Sequence, residues 1–333
     1  MKLEKRDLLY RPRRLRKSEN LRQLVRENFL HLDDLIAPVF IIEGVNKKNA
    51  VPSMPGIYQW SIDRVSEEID DLLNAGITRI ILFGIPGKKD EHGSDSYLEL
   101  GIIQKAVRKL KVAYPELLII TDICFCEYTD HGHCGVIDEG NVHNDSTLDL
   151  LGKQAVSHAQ AGSHMVAPSA MMDGMVKEIR NALDGASFGE IPIMSYAVKY
   201  ASAFYGPFRD AVDSTPQFGD RKSYQMDTAN IREAIKEVEL DIMEGADIVI
   251  VKPALSFLDV ISEIKEISNI PVACYNVSGE YSMVKAAAEK GWLEHDEAMM
   301  EMLLSMKRAG ADIIITYFSL EAAKLIKQGN GTR

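Results

Sequence analysis

The segment Glu244-Gly-Ala-Asp-Ile-Val-Ile-Val-Lys-Pro-Ala254 shows how a helical pattern gives way to an apolar run in this chain. Its glycine follows a helical pattern over 228–243, and a continuous apolar run, 246–253, comes directly afterwards. Glycine at such a place supplies the left-handed residue that ends a helix. An apolar run without alternation is typical of a strand buried on both faces. The stretch therefore predicts a helix, a hinge and a buried strand that ends at Lys252.

The same unit recurs along the chain. The other apolar runs are 35–42, 79–85, 117–124, 164–169, 191–198, 270–277 and 311–318. Helical patterns occupy the gaps, at 64–74, 97–113, 147–160, 175–183, 256–267 and 296–308. Eight such units within 333 residues match a (β/α)8 TIM barrel. The alternative is an open doubly wound sheet, which is weaker because no Gly-rich phosphate fingerprint follows the first strand.

Composition narrows the class of protein. The chain has 46% hydrophobic and 26% charged residues, which is typical of a soluble globular protein with one large domain. Its apolar runs fall short of the roughly 20 residues of a membrane span. The N-terminus is charged and lacks the apolar segment of a signal peptide. These features predict a cytoplasmic protein without a membrane partner.

The N-terminal arm, residues 1–30, differs in charge from the rest. It carries ten Lys/Arg and four Asp/Glu, which gives a net charge of +6. Because the whole chain has a net charge of −11, the remaining residues have a net charge of −17. We interpret it as an arm that packs on an acidic neighbouring subunit, ahead of a single catalytic domain over 31–333. Nucleic-acid binding is disfavoured because the acidic body would repel phosphates. A targeting peptide is disfavoured because acids are interspersed and no cleavage pattern follows.

Two lysines end apolar runs, Lys199 in 191–199 and Lys252 in 246–254. A buried lysine is costly as a cation, and its neutral amine is a nucleophile toward carbonyls. Burial and neighbouring cations should lower the pKa of both amines. Two such lysines suggest two carbonyl substrates, provided that the strands share one mouth of the barrel.

Three of the four cysteines lie close together, as Cys124-Phe-Cys126 and, after seven intervening residues, Cys134. A disulfide is disfavoured in a cytoplasmic chain. Thiolates crowded in this way favour Zn²⁺. Three ligands leave a position open for water or substrate, as in catalytic sites, whereas His131 or His133 could close the site as a fourth ligand.

Other polar residues follow the predicted strands at the same mouth. Asp122 ends the third strand, where it could cap a loop, orient a lysine or shuttle a proton. Ser278 follows the seventh strand and Tyr317 lies near the end of the eighth. Both could be polar residues of the rim or hydrogen-bond donors to a substrate carboxylate.

The link over 200–227 is long for a connection between a strand and a helix. It carries Arg209, Arg221 and Lys222 among aromatic residues and glycines. Cations on a mobile cover suit the capture of an acidic small molecule and the exclusion of water. We interpret the segment as a lid, although a solvated charged loop would have the same composition.

Residues 11–328 resemble the porphobilinogen synthase family, also called 5-aminolaevulinate dehydratase, in its zinc-dependent branch. The segments that carry the resemblance are 171–174, 194–210, 220–226, 251–254, 277–281, 316–318 and the cysteine cluster. The resemblance implies condensation of two 5-aminolaevulinate molecules to porphobilinogen with loss of two waters, in tetrapyrrole (haem) biosynthesis. It also implies a homo-octamer whose arms embrace neighbouring subunits.

Individual roles follow from the same resemblance. Lys199 and Lys252 match two Schiff-base lysines, Lys252 for the substrate that supplies the acetyl side and Lys199 for the one that supplies the propionyl side. The remaining matches are Cys124, Cys126 and Cys134 with zinc ligands, Arg209, Arg221, Ser278 and Tyr317 with substrate carboxylate contacts, Gln225 with a further position in the lid, and Glu237 with an allosteric magnesium site. A class I Schiff-base aldolase is the alternative enzyme, but it leaves the cysteines and one lysine without a role. A zinc-binding or nucleic-acid-binding protein leaves both lysines and the arginines of the lid unexplained.

Overall fold

A computed structural model of the chain describes residues 8–329, which contain an eight-stranded parallel barrel. Its strands are β1 Leu35–Ile42, β2 Arg79–Ile85, β3 Leu118–Ile123, β4 Met165–Pro168, β5 Met194–Lys199, β6 Ile248–Lys252, β7 Val272–Asn276 and β8 Ile313–Thr316. They pair in the order β4-β3-β2-β1-β8-β7-β6-β5. A parallel bridge between Val166 and Ile193 joins the two ends of this order. The barrel is thus confirmed, and the open doubly wound sheet is wrong.

Helices follow the strands around the barrel. They are α1 Glu19–Leu24, α2 Ser66–Ala75, α3 Ile102–Ala113, α4 Asn144–Ala161, α5 Met175–Gly185, α6 Gly206–Val212, α7 Arg232–Glu244, α8 Leu258–Ile267, α9 Ser278–Glu289, α10 His295–Ala309 and α11 Ser319–Lys327. Short 3-10 turns lie at Pro12–Arg16, Leu32–Asp34, Ser94–Tyr97, Ala203–Tyr205 and Leu255–Phe257. The sequence patterns did not predict α9 and α11, which complete the units after β7 and β8.

The predicted glycine hinges end helices as expected. Gly76 ends α2 with φ of 89°, and Gly245 ends α7 with φ of 106°. Residues with a Cβ atom rarely adopt this left-handed backbone conformation, whereas glycine adopts it readily. Each hinge therefore returns the chain to the sheet within a few residues.

The strands are buried along almost their whole length, as the continuous apolar runs predicted. The eight residues of β1 include seven that are buried, and all six residues of β5 are buried. In a parallel barrel the carboxyl ends of the strands meet at one mouth, where the following loops form the site. The segments after β3, β5 and β6 therefore lie together although they are distant in sequence.

The described part of the arm is mostly exposed. Leu9, Tyr10 and Leu24 expose 79%, 83% and 78% of their surface, and Leu30 is the first buried residue. Residues 1–7 of the predicted arm and 330–333 of the predicted catalytic domain lie outside the described residues. Within 8–329 we find no helix with the length and apolar character needed to cross a membrane.

Candidate active site

The two predicted lysines lie side by side at the carboxyl ends of β5 and β6. Lys199 and Lys252 are register partners across these strands. Their exposed fractions are 4% and 6%. The condition that both strands share one mouth is therefore met.

Aromatic side chains surround the amine of Lys252. Its Nζ lies 4.4 to 5.3 Å from the ring centroids of Tyr275, Tyr196, Tyr205 and Phe208. Burial and the neighbouring Lys199 lower the pKa of Lys252 to about 7. The lowered pKa predicted for this lysine is confirmed, so a large fraction of Lys252 is a neutral amine near neutral pH.

Lys199 has different surroundings. Its Nζ donates a hydrogen bond to the carbonyl oxygen of Ser169. Burial acts to lower the pKa of Lys199, but negative charge on the neighbouring cysteine sulfurs, Cys134 above all, and on Asp122 outweighs it and raises the pKa above its ordinary value. The lowered pKa predicted for this lysine assumed a zinc ion on these sulfurs, and for that state it stays a prediction.

The three cysteines form one cluster after β3. The sulfurs of Cys124, Cys126 and Cys134 all lie within 4.8 Å of one another, and those of Cys124 and Cys126 are 3.6 Å apart. Two thiolates on one tetrahedral zinc ion, each at about 2.3 Å, would be separated by about 3.8 Å. All three side chains are buried. Hydrogen bonds from the thiols of Cys124 and Cys126 hold the pKa of Cys134 well below its usual range. This donor set fits a soft divalent metal.

The histidines within the cysteine segment serve another purpose. The ring nitrogens of His133 lie 3.0 Å from the hydroxyl of Tyr224 and 2.9 Å from the carbonyl oxygen of Phe218. His131 accepts a hydrogen bond from the backbone N–H of His133. Neither imidazole joins the three sulfurs in the cluster found among the described residues. The ring of His133 therefore joins the cysteine segment to the lid, whereas the ring of His131 bonds within the loops, to His133 and to the carbonyl oxygen of Glu91.

Two buried carboxyl groups lie beside the cysteines. Asp122 accepts a hydrogen bond of 3.0 Å from the hydroxyl of Ser169, and its other oxygen has no partner among residues 8–329. Burial and the neighbouring Glu127 raise the pKa of Asp122 well above its usual value. Glu127 is 2% exposed, and burial raises its pKa to about 8. Sequence reasoning missed Glu127 and Ser169, although an acid next to Cys126 was a signal.

The predicted lid, 200–227, contains α6 and is joined to the cysteine segment. Arg221 is 5% exposed and donates hydrogen bonds of 2.8 Å and 2.7 Å to the carbonyl oxygens of Gly132 and Ser214. The Nε atoms of Arg209 and Arg221 are buried without a partner among the described residues. Both amide atoms of Gln225 are also buried without a partner there. The lid therefore offers several unused donors to an anion.

Ser278 begins α9 after β7, and Tyr317 directly follows β8. The hydroxyl of Ser278 accepts a hydrogen bond of 3.0 Å from the backbone N–H of Phe208. The hydroxyl of Tyr317 is 3.0 Å from that of Tyr275, one of the rings beside Lys252. Both predicted residues thus contact the surroundings of the second lysine.

Glu237 lies apart from the lysines, on α7. It lines a cavity of about 530 Å³. Four more carboxylates line the same cavity, those of Asp173, Glu233, Asp241 and Glu244. Burial and the nearby Asp173 raise the pKa of Glu237. These residues do not form a tight group of three ligand atoms. A magnesium ion there would keep several of its waters, as it commonly does.

Comparison with known proteins places the chain in a family. Residues 9–325 match the family model of delta-aminolevulinic acid dehydratase. The delta-aminolevulinic acid dehydratase of Halalkalibacterium halodurans is 56% identical over 318 residues, 96% of this chain and 97% of that protein. That of Synechococcus elongatus is 57% identical over 319 residues, 95% and 98% of the two chains. The chain belongs to the delta-aminolevulinic acid dehydratase family.

A solved structure supports the same assignment. The delta-aminolevulinic acid dehydratase (porphobilinogen synthase) of Toxoplasma gondii, in complex with the reaction product porphobilinogen, superposes with a TM-score of 0.95 at 43% identity. The match covers 98% of this chain and 94% of that chain. The family resemblance noted from the sequence is confirmed.

Proposed function

We propose that this chain condenses two molecules of 5-aminolaevulinate to porphobilinogen with loss of two waters, and that Lys199 and Lys252 each hold one substrate as a Schiff base. The activity belongs to tetrapyrrole (haem) biosynthesis, and the family assignment supports it. The observation that carries the two-lysine mechanism is the pairing of these lysines at one mouth. Two keto acids need two amines, and these two stand side by side.

The two amines differ in their pKa and therefore in how readily each acts as a nucleophile. Lys252, with a pKa of about 7, supplies a neutral nucleophile near neutral pH. It holds the substrate that gives the acetyl side and the free aminomethyl group. Lys199 holds the substrate that gives the propionyl side. Its pKa is raised by negative charge on the neighbouring cysteine sulfurs, Cys134 above all, which a cation bound there would balance.

Zinc is the metal proposed for the cysteine cluster. Cys124, Cys126 and Cys134 would hold it, and no described histidine or carboxylate joins these three sulfurs as a fourth ligand. An open zinc ion supplies Lewis acidity and lowers the pKa of a bound water. Asp122, one oxygen of which has no partner among residues 8–329, would orient the amine of Lys199 or exchange a proton with substrate.

Substrate carboxylates need cationic or hydrogen-bonding anchors. We assign one carboxylate to Arg209, Arg221 and Gln225 in the lid, since each has buried donor atoms without a partner among residues 8–329. We assign the other to Ser278 and Tyr317, which lie near the aromatic rings around Lys252. Closure of the lid over both would exclude water from the imines.

Two further proposals concern regulation and assembly. Glu237 is proposed to hold an allosteric Mg²⁺ together with waters in the acidic cavity. The arm, with its exposed apolar side chains, is proposed to pack on neighbouring subunits of a homo-octamer. The enzyme is expected in the cytoplasm, without nucleic-acid or membrane partners.

One assay tests the activity and a second tests the mechanism. The purified protein is incubated with 5-aminolaevulinate, and porphobilinogen is measured by the colour of the pyrrole with an aldehyde reagent, with and without a chelator. Borohydride is then added during turnover, and the modified peptides are identified by mass spectrometry. Absence of porphobilinogen in a metal-replete preparation would contradict the activity. If an active preparation showed borohydride modification of neither lysine, the Schiff-base mechanism would be contradicted but the activity would not. A class I aldolase would show one modified lysine and no effect of the chelator.

A further inference from the structure

Tyr196 lies between the two lysines, and the reaction scheme above gives it no role. Its ring centroid is 5.0 Å from the Nζ of Lys252 and 5.7 Å from that of Lys199. The side chain is fully buried. A group that borders both reacting amines is within reach of any substrate bound to them.

An irregularity in β5 places this side chain. The register against β6 shifts between the pairs Val249–Ser195 and Val251–Val198, so β5 contains one extra residue there. Side chains three residues apart in a regular strand point to opposite faces. The extra residue allows Tyr196 and Lys199 to face the same interior, which is the known use of bulges beside active sites. The hydroxyl of Ser195, by contrast, donates to Asp241 on α7, outside the barrel.

The hydroxyl of Tyr196 has no hydrogen-bond partner within 3.5 Å among residues 8–329, and its polar neighbour is the carboxyl of Asp122, one oxygen of which also has no partner there. The hydroxyls of the other tyrosines around Lys252 do have partners. That of Tyr275 pairs with Tyr317 at 3.0 Å, and that of Tyr205 donates to the carbonyl oxygen of Lys252 at 3.2 Å. A buried hydroxyl without a partner destabilises a fold, and phenylalanine would avoid that cost. Its presence is therefore best explained by a partner that arrives with the substrate.

The hydroxyl of Tyr196 is protonated and can therefore act as a hydrogen-bond donor. Burial and the nearby carboxyl of Asp122 raise the pKa of Tyr196 well above its ordinary value. The hydroxyl consequently keeps its proton across the neutral range. A preorganised donor in a dry site stabilises an oxygen that gains negative charge far better than water does.

We infer that Tyr196 is a catalytic residue whose hydroxyl donates a hydrogen bond to the substrate oxygen that leaves as Lys252 forms its imine. The inference rests on the proposed function. In this step the Nζ of Lys252 bonds to the ketone carbon, the carbon–oxygen bond breaks, and the nitrogen electron pair completes the double bond. The oxygen leaves as water with the two protons of the neutral amine. Ketone and amine thus give imine and water without a further reactant.

The test compares Tyr196→Phe with Tyr281→Phe in the full-length, metal-replete enzyme. Tyr281 is also buried, but its hydroxyl has a structural partner, the carbonyl oxygen of Pro55, and it lies on α9. Porphobilinogen formation, the melting temperature and the rate of borohydride trapping of 5-aminolaevulinate on Lys252 are measured for both variants and the unmodified protein.

Opposite outcomes are expected for the two variants. Tyr196→Phe should lower kcat and the trapping rate on Lys252 by about 10- to 100-fold, with a smaller change in KM, since it removes a donor used in the transition state. Its melting temperature should stay the same or rise. Tyr281→Phe should lower the melting temperature and keep kcat within about threefold, because it loses a partnered hydrogen bond outside the site.

Two results would overturn the inference. One is a Tyr196→Phe enzyme that keeps kcat and the trapping rate within about twofold of the unmodified protein. The other is a fall in its melting temperature that matches that of Tyr281→Phe, which would mark the hydroxyl as structural. If the unmodified protein itself forms no porphobilinogen, the proposed function fails instead, so the two failures are distinguishable.

Discussion

Lys199 and Lys252 lie directly opposite each other at the ends of two neighbouring parallel strands. The pairing places two buried amines next to each other, and Lys199 helps to lower the pKa of Lys252. The raised pKa of Lys199 keeps it a cation, and this cation contributes to the lowered pKa of Lys252. In the proposed mechanism, the lysine that holds one substrate would thereby prepare its neighbour to bind the other.

Replacement of either lysine should abolish turnover. Lys252→Ala and Lys199→Ala are expected to fold, because each removes a costly buried amine, but to form almost no porphobilinogen. Lys252→Arg should be equally inactive, since a guanidinium stays protonated and cannot form an imine. Circular dichroism checks the fold, and the pyrrole assay checks turnover. Appreciable condensation by a well-folded Lys252→Ala protein would exclude its role as a Schiff base.

Imine formation on Lys252 should depend on pH through its own amine. The neutral fraction of Lys252 rises with pH through about 7, so the trapping rate should rise by about tenfold per pH unit below that point and level above it. In Lys199→Met the neighbouring cation is absent, so the pKa of Lys252 should rise and the profile should shift to higher pH. Borohydride trapping over pH 5 to about 9 measures both curves. A profile that does not move in Lys199→Met would show that the two amines are not coupled.

The fold could be predicted from the periodicity of the sequence, because each βα unit is formed by residues that are close together in the chain. The apolar runs and the glycine hinges encode strands and helix ends within a few residues, so the barrel and the strand-end lysines could be predicted. The spacing of Cys124, Cys126 and Cys134 likewise indicated a metal cluster.

Contacts between distant segments could not be predicted in this way. Arg221 donates to Gly132, which lies 89 positions away, and His133 contacts Tyr224 at a separation of 91. The direction of the pKa shift of Lys199 depends on how near the sulfurs lie, which spacing does not reveal. The side chain of Tyr196 points into the barrel because β5 contains an extra residue. Strict alternation along the strand would have placed Tyr196 and Lys199 on opposite faces.

Metal removal should abolish activity without unfolding the barrel. The three cysteines are buried, but they lie in the loop segment after β3 and not within the strands and helices of the barrel. A chelator should therefore remove turnover and leave the far-UV circular dichroism largely intact, and Zn²⁺ should restore activity. Pb²⁺ should compete for the thiolates.

A matched pair of variants checks the metal assignment. Cys134→Ser should lower the bound zinc measured by mass spectrometry, whereas Cys274→Ala should retain it, because Cys274 lies within β7 and outside the cluster. Full activity in a metal-free preparation, or zinc retained equally by both variants, would contradict the assignment.

Deletion of residues 1–30 should give smaller assemblies. Leu9, Tyr10 and Leu24 are largely exposed in the single chain, and the arm carries net +6 against an acidic body. Exposed apolar side chains on a basic segment suit burial against a neighbouring subunit. Light scattering of the deleted and full-length proteins measures the change. An unchanged mass in solution would refute the assignment and would revive nucleic-acid binding as the role of the arm.

Replacement of Arg221 in the lid by alanine should weaken the binding of substrate to the enzyme. Arg221 holds the lid to the cysteine segment through Gly132, and its Nε atom has no partner among the described residues. A hydrogen bond to a charged group contributes about 1.5–3 kcal/mol, so Arg221→Ala should raise KM by about ten- to a hundredfold. Arg221→Lys should recover only part of this loss, because lysine lacks the bidentate fork.

Tyr224→Phe separates docking of the lid from recognition of the substrate. This variant loses the contact of 3.0 Å with His133 but keeps the guanidinium of Arg221. Limited proteolysis within 200–227 should be faster in both variants than in the unmodified protein, since both loosen the lid. KM should rise strongly only in Arg221→Ala, and added substrate should slow nicking in Tyr224→Phe. If KM stayed normal in Arg221→Ala and substrate gave no protection, the segment would be a solvated connection, and the carboxylate would have to bind elsewhere.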